Sequence, residues 1–254
     1  FWGSLVFYNA YLPEIVSEEK MDKVSAHGYM FGYIGSVVLL TICLAMIQFA
    51  PEEKQGFFTR LSFLLTGFWW VGFGQIALRT LPNKKLNREI PKDIIKSSFK
   101  SLKDTFHHLN QFKNLRIFLA GFFFYSLAMQ TIFLMAALFG SSEIGMESSE
   151  LILTILLIQI EAVLGAWLFS FMSGKIGNKK TLLIGIFIWI ITCIIGYLKN
   201  KNDPNVKVQF YIMAAMVGLV MGGIQALSRS TYAKLLPETE DTTTYFSFYD
   251  VFEK

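Results

Sequence analysis

The chain has 254 residues, of which 53% are hydrophobic and only 17% charged, with 25 Phe and a formal net charge of +4. That balance excludes an ordinary soluble globular domain. The basic residues sit in loops beside long apolar runs, so the charge is no nucleic-acid signature. Cys43 and Cys193 both fall inside apolar runs, and neither a disulfide framework nor a metal site is expected.

The opening segment, FWGSLVFY, is already apolar at Phe1 and carries no basic region before a cleavage site, so no signal peptide is expected. Residues 1–12 read as a cut membrane helix, and 243–254 read as another. Between them lie six apolar stretches, roughly 28–50, 58–78, 117–139, 151–173, 181–198 and 209–228. Each approaches the ~20 residues that a helix needs to cross a ~30 Å hydrocarbon core. Segments apolar on every face do not pack in such number in a soluble protein. The expected fold class is therefore all-α, a polytopic membrane helical bundle, here a fragment with six complete and two partial transmembrane helices.

In the stretch 28–50, Gly28, Gly32 and Gly35 share one helix face, and close helix packing is the first explanation. Tyr29 and Tyr33, with Trp69 and Trp70 in the following stretch, are either interfacial anchors or cavity walls; anchoring is the ordinary role near a span end.

The segment 79–116 is the long polar break and holds ten Lys and Arg residues. Placing it in the cytosol puts 17 basic residues inside and 5 outside, with Lys254 unassigned; the loop 199–208 is the one dissenter. Pro82 and Pro91 mark its start. Ile90, Ile94, Ile95, Phe99, Leu102, Phe106 and Leu109 recur at helical spacing, with Lys92, Lys96, Lys100 and Lys103 mostly on the other side. Such a helix either lies among anionic headgroups or packs, solvated, on the ends of the spans. The adjacent His107 and His108 point to different sides of a helix and do not chelate a metal together. The break divides the chain into 1–78, the end of an N-terminal bundle; 79–116, a basic cytoplasmic linker; and 117–254, an incomplete C-terminal bundle. Two bundles around a midplane site form a recurrent secondary-transporter design.

Polar residues at membrane depth mark a pathway or a partner. Gln130 and Thr131 lie deep in 117–139; Gln159 shares a face with Ala162, Ala166 and Ser170; Gln225 and Ser228 come near the end of 209–228. Each amide either lines a cavity or bridges helices. Glu161, near the middle of 151–173 on a face with Thr154 and Gly165, is the one acid at the centre of a complete span. It is a candidate for proton coupling or for pairing with a substrate amine, against a neutral hydrogen-bonded packing role. Gly218 and Gly222 form a small-xxx-small pair. Catalytic motifs such as GxSxG, HExxH, a phosphate-cradling loop or CxxC are missing from the sequence, so no enzyme activity, catalytic residue or cofactor is expected.

Five strings carry a resemblance: FYNAYLPEI (7–15), VSAHGYMFGYIG (24–35), QTI (130–132), GGIQALSRSTYAKLLPE (222–238) and YFSFYDVFEK (245–254). In matching order along the chain, they resemble the vacuole-effluxer branch of the major facilitator superfamily, which includes fungal autophagy-related amino-acid effluxers and bacterial relatives. The resemblance implies the major-facilitator fold, of which this chain would hold the end of helix four to the start of helix eleven, with 79–116 as the hinge. It implies export or exchange of small solutes, neutral amino acids being the best-known case, with a solute, the bilayer and a coupling proton or ion as partners. The membrane would be the inner membrane of a bacterium, or the vacuolar membrane if the source is fungal. A non-transporting receptor or lipid-handling protein on the same scaffold is the alternative, and a membrane-embedded enzyme a more distant one.

The superfamily's loop motif, G-x-x-x-D-[RK]-x-G-[RK]-[RK], is degenerate here. Lys175, Gly177 and Lys179 fit it, whereas Ser170, Gly174 and Asn178 do not. Gly174 stands where the motif has an acid, which puts the usual charge-based gate in doubt and leaves Lys175, Lys179 and Lys180 as topology anchors. Relatives often carry an acid near Leu127, absent here while Glu161 is present. Arg229, beside Ser228, either pairs with a carboxylate of the opposing half or caps its own helix, and capping is the expectation.

Overall fold

A computed structural model describes residues 2–81, 93–199, 203–239 and 241–253. All regular structure among them is helical: α1 (Trp2–Ala10), α2 (Leu12–Ile15), α3 (Met21–Gln48), α4 (Gln55–Thr80), α5 (Ile94–Leu109), α6 (Lys113–Leu138), α7 (Ser148–Ile176), α8 (Asn178–Tyr197), α9 (Val206–Leu235) and α10 (Thr242–Glu253). Six helices are long and apolar enough to cross a membrane, at the six places expected. The start of the linker helix, with Pro82, Ile90, Pro91 and Lys92, lies outside the described residues.

Two of the six reach furthest beyond their apolar stretch. α3 begins at Met21, seven residues before the apolar run, and α9 continues to Leu235, seven residues past its own. Hydropathy ends a span where polar residues begin. Here the polar turns stay helical because they face protein: Asp22, Ser25, Ser228 and Arg229 are all buried.

The chain forms two compact units, Phe1–Ile34 with Ser98–Lys254, and Gly35–Ser97. In the second, the rest of α3 meets α4, with Gly35 facing the Trp69 indole, and Trp69 lies against Phe73 at 4.9 Å between ring centroids. Phe63, Phe68, Phe73 and Leu78 of α4 are exposed. Trp70 is exposed as well, in keeping with an anchor.

The first unit is organised by α9, the most buried of the six candidate spans. It packs along α7 through small residues. A Cβ on Gly222 would stand 2.0 Å from the Ala162 carbonyl oxygen, one on Gly218 2.4 Å from that of Ile158, and one on Gly165 1.8 Å from that of Leu219. Backbones this close leave room for hydrogen alone, which is how helices associate where lipid removes the hydrophobic drive. The packing reading of Gly218 and Gly222 is therefore the one the structure gives. α7 turns into α8 at Gly177, whose φ of 85° is strained for any L side chain.

The dissenting loop 199–208 has local partners for two of its lysines. Lys207 pairs with Glu150 at 2.8 Å, and Lys199 donates to Gln209, whose amide donates to Asp203 at 2.8 Å. The backbone N–H of Asn205 and the Gln209 amide hold the Asp203 carboxyl below its ordinary range.

Gly222→Val should lower the unfolding free energy in detergent by about 3 kcal/mol through overpacking of this seam. Gly67→Ala, where an added Cβ meets nothing within 4 Å, should leave it within about 1 kcal/mol or raise it. Equal effects from the two would remove the seam as the reason for the glycines.

Candidate functional site

The first four turns of α3 carry polar groups at Asp22, Ser25, Tyr29 and Tyr33, spaced three, four and four residues apart and so on one face. α9 runs antiparallel to them and presents Lys234, Thr231, Arg229 and Gln225. The two stripes meet in rungs, ordered along α9 over about 14 Å at 1.5 Å per residue.

The outermost rung is an ion pair, Lys234 Nζ to Asp22 Oδ2 at 2.7 Å. Asp22 also accepts from Ser173 of α7 at 3.0 Å and from Asn178 of α8 at 2.8 Å. Asn178 donates in turn to Thr231 at 2.9 Å and accepts from Lys234 at 3.3 Å. The degenerate loop motif thus regains a carboxylate. With Gly174 in place of the acid, Asp22 of α3 reaches Ser173 and Asn178 on either side of the α7–α8 turn. Lys175 lies over its own helix's Phe171 ring at 4.3 Å, and Lys179 and Lys180 are exposed, as topology anchors would be.

The next rung is Arg229, only 4% exposed. Its Nε donates to Ser25 Oγ and one Nη to the Ser25 carbonyl, each at 2.9 Å, and the other Nη reaches Asn9 Oδ1 at 3.3 Å. The Asn9 amide then donates to Asp250 of α10 at 3.1 Å. Ser25 Oγ donates to the Ala226 carbonyl at 2.7 Å, which closes a ring back onto α9. The guanidinium also lies over the rings of Tyr29, at 4.7 Å, and Tyr8, at 5.2 Å. A planar cation suits such stacking with simultaneous forked donation, whereas an ammonium does not. Gly28 makes room for it: a Cβ there would stand 2.6 Å from the Tyr8 hydroxyl and 3.0 Å from the guanidinium.

This corrects the capping expectation. The guanidinium turns away from the carbonyls of its own last turn and toward α1 and α3, because two hydroxyl and carbonyl acceptors and two rings await it there. Asp250, an acid of the cluster, is joined to it through Asn9. The glycine face of α3 is uneven, since Gly28 lies against Arg229 and Tyr8 while Gly32 has no neighbour within 4 Å of a Cβ.

Deeper still, Tyr33 donates to Gln225, and Tyr125 of α6 shares a hydrogen bond with Ser228 at 2.7 Å. Tyr29 and Tyr33 are therefore wall residues of a polar cluster rather than interfacial anchors. Gln225 and Ser228 both join the cluster. Gln130 is exposed on α6 and reaches the Glu253 backbone at 3.5 Å, and Thr131 bonds to Leu127 of its own helix. Gln159 and Glu161 are half-buried on α7. Gly218 lies against the Cβ of Glu161, whose carboxyl forms no hydrogen bond or ion pair with a described residue. The structure therefore gathers Gln225, Ser228 and Arg229, and leaves Gln130, Thr131, Gln159 and Glu161 apart from them. Asn9, Asp22, Ser25, Asn178, Lys234 and Asp250 carry most of the network and had not been singled out as site residues. The findable signal was the period: Asp22, Ser25, Tyr29 and Tyr33 on one face of α3, and Gln225, Ser228 and Arg229 on one face of α9.

A family model described as "Vacuole effluxer Atg22 like" matches residues 1–254. An uncharacterized transporter of the major facilitator type from Bacillus subtilis, YxiO, is 33% identical over all of this chain and 58% of its own length. Autophagy-related protein 22 of Eremothecium gossypii is 28% identical over 96% of this chain and 50% of its own, and that of Saccharomyces cerevisiae 24% over 96% and 51%. The chain spans about half the length of these curated relatives. No solved structure matches it.

Arg229→Ala and Asn9→Ala should each cost about 2 kcal/mol or more of stability in detergent, the price of stranding a buried charge-assisted partner. The double variant should lose clearly less than the sum. Strict additivity in thermal or denaturant unfolding would show that Asn9 and Arg229 do not act as one unit.

Proposed function

The chain belongs to the Atg22-like family of multi-pass transporters of the major facilitator type, and we propose that it moves a small solute by alternating access, with the α3–α9 rungs as its closed gate. The relatives are transporters and not enzymes, and the reading extends that statement to a mechanism. The observation that carries it is the Asp22–Lys234 pair with its Ser173 and Asn178 contacts, which ties α3 to three helices of the 117–254 segment at one end of the spans. With the basic linker in the cytosol, that end is the cytoplasmic one. The rungs then describe a carrier shut toward the cytosol.

A gate must open as well as close, and hydrogen-bonded ion pairs suit that better than a packed apolar seam. Water can replace their partners once the helices part, so the open form is not left with a stranded charge. The polar groups just inside the gate, Gln225, Ser228, Tyr33 and Tyr125, form the floor on which a solute would rest. Gln130, Thr131 and Gln159 line the path beyond. Neutral amino acids are the solute class to test first, following the family, and transport runs by export or exchange. Glu161 is the group proposed to carry a coupling proton. It is a carboxyl within a span, and it forms no ion pair with a described residue.

Counterflow of a labelled neutral amino acid in proteoliposomes of the full-length protein tests the reading. Asp22→Lys and Lys234→Asp should each shift the gate equilibrium by roughly tenfold, the value of about 1.4 kcal/mol, and lower exchange accordingly. The combined swap should restore much of it. A swap no better than either single variant would count against the pair as a gate, and lipid scrambling without solute counterflow would favour the lipid-handling alternative. Glu161→Gln should preserve solute binding while flattening the dependence of transport on pH. An unchanged pH profile would remove Glu161 from coupling.

A further inference from the structure

α5 offers a surface that the gate does not use. Ile95, Phe99, Leu102 and Phe106 fall within an arc of about 60° on this helix. They are 76%, 69%, 37% and 51% exposed. The last member of the stripe, Leu109, is 5% exposed and belongs to the core that holds Tyr245 and Tyr249 of α10. Over its final turn the helix is fixed: His108 Nδ1 shares a hydrogen bond with the Tyr245 hydroxyl, and the Phe106 ring lies 6.1 Å from that of Phe248. One end of α5 is thus docked on α10 while the rest of its apolar stripe stands uncovered.

The charges around the stripe are sorted. Lys96, Lys100 and Lys103 lie together along one flank, all exposed, and none forms an ion pair or hydrogen bond with a described residue. Asp104 points about 180° from the stripe. A helix packed on the described spans of this chain would bury Phe99 and Leu102, and here both are exposed. A helix solvated on all sides would not carry them. A stripe of large apolar groups flanked by unpaired lysines, with the acid on the far side, matches an interface that is oily below and negative at the rim.

We infer that α5 lies on the anionic leaflet of the membrane, with Ile95, Phe99, Leu102 and Phe106 below the headgroups and Lys96, Lys100 and Lys103 on lipid phosphates. Its docked end would carry the state of that surface to the first turn of α10, the helix that holds Asp250.

The test uses full-length protein with Cys43 and Cys193 replaced by Ser and a single cysteine introduced as Phe99→Cys or, as the far-side control, Asp104→Cys. Labelling by an impermeant maleimide is compared in vesicles of phosphatidylcholine alone and of phosphatidylcholine with phosphatidylglycerol. Three lysines at about fivefold each give a partition change on the order of 100-fold. The Phe99→Cys thiol should therefore label far more slowly in the anionic vesicles, and the Asp104→Cys thiol equally in both. High salt, or Lys96→Gln, Lys100→Gln and Lys103→Gln together, should abolish the protection. Equal labelling at Phe99→Cys in the two lipids overturns the inference: fast in both means a solvated face, slow in both a face covered by protein. Protection that survives both high salt and the triple variant overturns the role of the lysines.

Discussion

A guanidinium kept from both water and lipid governs this structure. Arg229 sits six residues inside the end of α9, and an unpaired charge there would cost several kcal/mol even after relaxation. Ser25, Asn9, Tyr8 and Tyr29 supply the compensation, so α1 and α3 must come to α9 and bring Gly28 with them for clearance. Asn9 cannot accept from Arg229 and donate to α10 unless Asp250 is also in place. Four segments far apart in the chain are thereby fixed by one side chain.

The arrangement needs a frame that does not yield, and α7 supplies it. The glycine and alanine seam brings the two backbones into contact over about two turns, which leaves α9 little freedom to slide or rotate. Strong packing and polar bonding are divided along the length of one helix. Around Gly218 and Gly222 the contact with α7 is close and apolar; from Gln225 to Lys234 the contacts with α3 are hydrogen-bonded and replaceable. Under the proposed gating, such a helix would keep its place in its own bundle through one part while the other makes and breaks contacts.

How much of this was readable from sequence follows from what each feature depends on. The six spans stand out because hydrocarbon imposes its own length and composition, whatever the neighbours are. The ends of α3 and α9 were set seven residues short because hydropathy scores Asp22, Ser25 and Arg229 as solvent-bound, and their partners are 151 to 220 residues away along the chain. The same distance hid the rotamer of Arg229: a C-terminal-turn arginine caps its helix by default, and only the fold brings Ser25 and Asn9 within reach. The degenerate loop motif is a third case. Reading 170–180 alone shows a lost carboxylate, and the replacement arrives from α3. Four of the five strings that carried the family resemblance do converge around Arg229, contributing Asn9, Ser25, Gln225 and Asp250, although no string by itself said what it was for.

The polar stripe of α3 stops at Tyr33, and the compact unit to which its first turns belong stops at Ile34. The coincidence has a physical reading. Up to Tyr33 the helix is held by rungs to α9; Gly35 faces the Trp69 indole of α4, and apart from Ser36 the side chains that follow are apolar up to Thr41. One continuous helix therefore serves two bodies, with Gly32 and Gly35 at the handover, where small residues leave the least packing to disturb. If the rungs part, the strain need not spread along α3. Its first four turns lose hydrogen bonds that water can replace, and the remainder keeps its contacts with α4. On the proposed gating, hydrogen-bonded polar groups at one end of α3 would let that end be released while the other keeps its contacts, with the exchangeable bonds placed where the release would occur.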